Sequence, residues 1–124
     1  MKRKIRLLIS AMQAVLVFAV FFCLYPDVSF ATSPQDVKLA YDSTTETLSV
    51  TITHPSSVPG YHYIKYVEIK NGSGSVKNTY ENQPGEDTFT YTYKVSAAPG
   101  DVLTVTATCS MWGYKTVTIT VGNK

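Results

Sequence analysis

His54 and His62 are the chain's two histidines, and Cys109 is its only cysteine besides Cys23. Imidazole nitrogen and thiolate sulfur are the donors that transition metals favour, so His54, His62 and Cys109 are candidate ligands of a single ion. Each sits in a distinct setting. His54 precedes Pro55 at the end of an apolar run, His62 opens His62-Tyr63-Ile64 after a short loop, and Cys109 stands shortly before Gly113. With Met111 nearby, the set also contains the donor types of a copper site, which makes copper, and cuprous ion in particular, the alternative metal. Met111 follows Cys109 by two residues, so on a strand it shares that face and lacks the loop that would carry it round an ion.

Other chemistry has less to work with. Glu68, Glu81, Glu86 and Asp87 include no spacing that separates a general acid from a base, and those beside Gly and Pro read as solvated turn residues. A Cys109–histidine nucleophile would need an oxyanion-hole motif that the chain does not display. Tyr61, Tyr63 and Trp112 are placed to form an aromatic wall beside the candidate ligands, with Trp112 able to plug the site.

The elements that must carry these residues are strands. Leu48, Val50 and Ile52 alternate with polar residues, as do Phe89, Tyr91, Tyr93 and Val95, then Leu103, Val105 and Ala107, then Val117, Ile119 and Val121. Further strands are expected over residues 37–41 and 63–69, and a shorter one over 76–80. Asp42-Ser43-Thr44, Asn71-Gly72-Ser73-Gly74, Gln83-Pro84-Gly85 and Pro99-Gly100-Asp101 supply turns. About seven short strands with no helix among them predict an all-β domain, an antiparallel β-sandwich of immunoglobulin-like shape. The paired cysteines and tryptophan of antibody domains are missing, so architecture alone is implied. His54 keeps the parity of Leu48, Val50 and Ile52, and Cys109 that of Leu103, Val105 and Ala107. Both therefore point inward at strand ends. Pro55 biases His54 toward extended backbone and stops the strand.

The N-terminus reads differently. Lys2, Arg3, Lys4 and Arg6 form a basic start, residues 14–24 an apolar run, and Ser29-Phe30-Ala31 a small-residue cleavage pattern. Residues 1–31 are read as a secretory signal peptide, cleaved near Ala31, and residues 32–124 as one secreted domain. An uncleaved membrane anchor is the alternative, since the apolar stretch 7–25 approaches spanning length. Phe22 before Cys23 argues against lipid attachment. After cleavage, seven lysines and no arginine face eight acidic residues, a formal charge of −1. That balance excludes nucleic acid and gives no insertion or electrostatic hold on anionic membranes. About 93 residues suffice for one small core, and Cys109 has no disulfide partner in it.

Taken together, His54-Pro55, His62-Tyr63-Ile64, Tyr66-Val67-Glu68-Ile69 and Cys109-Ser110-Met111-Trp112-Gly113 resemble the iron-binding domain of the desulfoferrodoxin and superoxide reductase family. That family carries a His-Pro pair, a short loop, His-Tyr-Ile or His-His-Ile, an aromatic-aliphatic-Glu-aliphatic strand and a late Cys-Asn-X-His-Gly motif. The resemblance implies a non-haem iron held by four imidazoles and an axial cysteine, with superoxide as substrate and an external electron donor as partner. By position, His54 and His62 would be equatorial ligands and Cys109 the axial thiolate, whose electron donation favours reduction of bound oxygen species. Trp112 stands where the family has its last histidine, and no histidine lies between Thr32 and Thr53. The His-to-His loop is also two residues longer, through Val58-Pro59-Gly60. With three of five ligands, the expected function is iron binding with weak or lost superoxide-reducing activity. The alternative is a non-catalytic extracellular binding or structural module.

Overall fold

Alternating apolar and polar residues place every second side chain on one face, a pattern that most of seven extended segments show as they pair into two antiparallel sheets. In the computed structural model these are β1 (Asp36–Asp42), β2 (Thr47–Thr53), β3 (Ile64–Asn71), β4 (Gly74–Thr79), β5 (Thr88–Lys94), β6 (Val102–Cys109) and β7 (Tyr114–Thr120). One sheet has the order β1-β2-β5 and the other β4-β3-β6-β7, a three-on-four immunoglobulin-like sandwich. The structure describes residues 6, 10, 12–14 and 33–122. The chain divides into two compact units, Met1–Phe30 and Ala31–Lys124. The described residues of the first are helical, whereas most of the expected signal peptide and of the alternative anchor, with the cleavage point and Cys23, lie outside the described residues. Among those described, no helix is long and apolar enough to cross a membrane.

The core follows the expected phase. Leu48, Val50 and Ile52 of β2 meet Leu103, Val105 and Ala107 of β6 in the buried cluster, joined by Phe89 and Val67. Outward positions carry threonines that bond across strands, Thr51 to Thr90 at 2.9 Å, Thr53 to Thr88 at 3.0 Å and Thr106 to Thr116 at 2.9 Å. Threonine suits both roles, since its branched carbon favours the pleat and its hydroxyl finds a neighbour.

β3 and β4 depart from their expected bounds in ways that set the register. β4 starts at Gly74 rather than near Val76, because Gly72 adopts a positive φ of 58° and closes a tight turn that pairs Asn71 directly with Gly74. β3 starts at Ile64 and carries a bulge, its register with β6 jumping from Ile64↔Cys109 to Tyr66↔Thr108. The extra residue flips the phase. Ile64 is thereby buried together with Val67 and Ile69, although a regular strand would give it the face of Tyr66 and Glu68.

Candidate metal centre

At one end of the sandwich the three candidate ligands meet. Ligand atoms of His54, His62 and Cys109 all lie within 4.8 Å of one another, and the two imidazole rings pack edge to face with centroids 4.6 Å apart. Each arrives from a different element. His54 follows the last residue of β2, where Pro55 ends sheet pairing and the His54 N–H donates instead to Asp87 O at 2.8 Å. Cys109 is the last residue of β6, paired with Ile64. The bulge just inside β3 turns Ile64 toward the core, and His62 lies two residues before it.

The loop between the histidines is compact. Tyr61 N and His62 N both donate to Val58 O, at 2.9 and 2.8 Å, so the additional Val58-Pro59-Gly60 stretch is taken up by one helical turn. Ser56 Oγ donates to His62 O and accepts from Val58 N, bracing that turn from within. Ser110 closes the other side, its Oγ donating to Tyr61 O at 2.9 Å and accepting from Tyr63 N at 3.1 Å. Cys109 N donates to Gly113 O across the last turn, and Met111 N donates to Cys109 Sγ at 3.4 Å. Gly113 has φ 92°, and a Cβ there would fall 1.9 Å from Ser33 Oγ, so only glycine permits this closure.

Burial separates the ligands from their surroundings. His54 is 0 % exposed and Cys109 is buried, as the inward phase of both residues predicts. The aromatic wall is corrected in part: Trp112 is 78 % exposed and Tyr61 69 % exposed, so both rings lie largely in solvent and Trp112 does not plug the site, while Tyr63 is half-buried. Their loops are clamped by backbone and Ser110 bonds that leave the rings outside. Met111 is 42 % exposed and reaches the cluster through its backbone N–H to sulfur.

One residue of the centre was unreadable beforehand. Gln83, expected only as part of a turn, is 5 % exposed and contacts His54 twice. Its Oε1 lies 2.7 Å from His54 Nδ1 and accepts from Ile64 N at 3.0 Å, and its Nε2 donates to His54 O at 2.8 Å. A lone amide in a Pro-Gly turn has no periodicity to betray its burial. The carboxylates stay apart from this chemistry, since Glu81, Glu86 and Asp87 are exposed and Glu68 faces Lys70 at 3.3 Å.

A second polar cluster is built from tyrosines. Tyr80 stacks on Tyr91 with centroids 4.4 Å apart, and its hydroxyl meets that of Tyr93 at 2.6 Å. Burial, reinforced by the neighbouring Tyr80, pushes the Tyr91 phenol up to about 12, and burial with the Tyr80 hydrogen bond drives Tyr93 higher still. Both are neutral packing groups at ordinary pH.

No family model matches the chain, and no curated protein does either. Among solved structures, a superoxide reductase (neelaredoxin) from Ignicoccus hospitalis aligns over 80 % of this chain and 87 % of its own length, with 18 % identity and a TM-score of 0.49. Similarity at that level carries no argument about function, which must come from the residues themselves.

Proposed function

We propose that the domain binds one transition-metal ion through His54, His62 and Cys109. The observation that carries this reading is the meeting of two imidazoles and a thiol, within 4.8 Å, from three separate stretches of chain. The donor set fits the group. Metal–nitrogen and metal–sulfur bonds of about 2.0–2.3 Å put two donors of one ion at most about 4.0–4.6 Å apart, so small side-chain adjustments suffice. Nitrogen and sulfur together suit iron, copper or zinc and disfavour magnesium or calcium.

Iron is the metal the sequence motifs imply, and a bound iron would supply one-electron redox chemistry at a thiolate-ligated centre. The protein's own part is to orient and shield. Cys109 presents its sulfur from the end of a fully paired strand, with the Met111 N–H directed at it, an arrangement that tempers thiolate charge. His54, closed off from solvent, holds its ring between Gln83 and His62. Three protein donors would leave further positions for water or a small oxidant, and the motif resemblance to the superoxide reductases implies superoxide, with an external electron donor, as the substrate of an iron-loaded form. Secretion through the N-terminal signal belongs to the same proposal.

Elemental analysis of protein purified without an affinity tag tests this directly. Iron, copper or zinc near one equivalent, lost in Cys109→Ala, is the expected result, and superoxide consumption by the iron-loaded protein should vanish in His62→Ala. Protein that takes up none of the three metals, and is indifferent to Cys109→Ala, would leave a non-catalytic sandwich module instead.

A further inference from the structure

We infer that Gln83 is a positioning residue that fixes the proton of His54 on Nδ1 and so makes Nε2 the nitrogen offered to the metal, an inference that rests on the metal-binding reading above. The Gln83 amide has a single possible orientation. A backbone carbonyl only accepts, so the Gln83 atom 2.8 Å from His54 O must be the NH2 group. A backbone N–H only donates, so the atom 3.0 Å from Ile64 N must be the carbonyl oxygen. Two independent backbone groups thus exclude the flipped amide.

The imidazole then has no choice. Gln83 Oε1 carries no hydrogen, so the 2.7 Å contact with His54 Nδ1 requires the proton to sit on Nδ1. A neutral ring holds one such proton, and its lone pair therefore resides on Nε2. Water does not compete for these roles, because His54 and Gln83 are both buried. Gln83 also links the pieces that must converge: its N–H donates to Pro59 O in the loop between the histidines, while Ile64 begins the strand after His62. An outer partner of this kind holds both the tautomer and the ring plane of a ligating histidine. Here the partner is a neutral amide, so it orients the ring without placing a second negative charge beside the thiolate.

The position of the proton is directly observable. Long-range 1H–15N correlation spectra of the 15N-labelled, metal-free protein, recorded above the imidazole titration range, should show His54 protonated on Nδ1. In Gln83→Met, similar in length but without donors or acceptors, the proton should shift wholly or partly to Nε2. Binding of Co2+, followed by its sulfur charge-transfer band, should weaken about 10- to 100-fold in the same variant. Gln83→Glu keeps an acceptor and should retain the Nδ1 proton. A purely structural Gln83 would change thermal stability and leave the tautomer alone. Protonation of His54 on Nε2 in the unaltered protein, or an unchanged Nδ1 proton in Gln83→Met, would overturn the assignment. Should Gln83→Met fail to fold, the unaltered protein and Gln83→Glu decide it. Protonation on Nδ1 in a protein that ignores Co2+ would uphold the role of Gln83 while overturning the metal reading.

Discussion

The two ends of the sandwich solve the same problem, closing loops between strands, with opposite materials. At the ligand end the loops are tied by neutral groups: the Gln83 amide, itself buried, and the hydroxyls of Ser110 and Ser56. At the far end the ties are carboxylates, exposed at Asp42 and half-buried at Asp101. Asp42 Oδ1 accepts from Thr44 N at 2.8 Å in the β1–β2 turn, and Asp101 Oδ2 accepts from Ala98 N at 2.9 Å and Asn71 Nδ2 at 3.2 Å. A carboxylate costs little where water can still solvate it, whereas shut away among buried groups it would lose that solvation. The contrast teaches that one end is built to be insensitive to solvent and the other is merely held shut.

Substitutions at the two ends should therefore separate metal affinity from stability. The largest effect belongs to Cys109→Ser, expected to lower Co2+ or Zn2+ affinity by more than about 100-fold, beyond what an outer partner contributes. Competition titration with a chelating dye measures it, and a far-end change such as Asp101→Asn should leave the affinity untouched. If both variants bind alike, the division between the ends is wrong.

Gly113→Ala comes next. A Cβ set against Ser33, together with a φ of 92°, should cost roughly 2–4 kcal/mol in urea unfolding, from overpacking and backbone strain combined. Ser110→Ala removes the link between Tyr61 and Tyr63 and should cost about 2 kcal/mol, as expected for groups left unsatisfied at a partly buried position. Because this clamp joins both ligand loops, weaker metal binding should accompany the loss. Unchanged affinity would show that the loops hold their places without it.

Acid should probe the far end first. The carboxyls of Asp42 and Asp101 are held below their ordinary value of 3.8, mainly by backbone N–H donors from Thr44 and Thr45 in one case and Ala98 in the other. A depressed carboxyl stabilises the fold above its unfolded value, and that contribution fades as pH falls through 3.8 and below. Asp42→Asn with Asp101→Asn should accordingly flatten the low-pH limb of a stability profile. The smallest change is Glu46→Gly at the same end. Glu46 adopts φ 52° without being glycine, so replacement should stabilise by about 0.5 kcal/mol, detectable as a slightly raised melting temperature.

Much of the scaffold was legible because a strand with one wet face writes its geometry into the chain with period two. The inward phase of His54 and Cys109 followed from that rule, since each continues an unbroken alternation in β2 and β6. His62 is different. It lies outside any strand, and the register of β3 is interrupted beside it, so parity said nothing about where it would point. Trp112 and Tyr61 misled for a related reason. Aromatic residues are usually drawn inward, but these occupy loops whose backbone is tied to the site while the rings remain in solvent.

The amino-acid sequence by itself determined the run of short strands, the buried faces of β2 and β6, and the three residues whose donors could hold a metal, because local alternation and donor chemistry need no knowledge of distant neighbours. Only the tertiary structure decided that these donors meet, that a bulge in β3 turns Ile64 inward beside them, and that Gln83 enters from a turn to orient His54. Those outcomes depend on contacts between residues far apart in the chain. No local period encodes them, since each is settled by which polar groups the closing sheets shut away from water and must then satisfy.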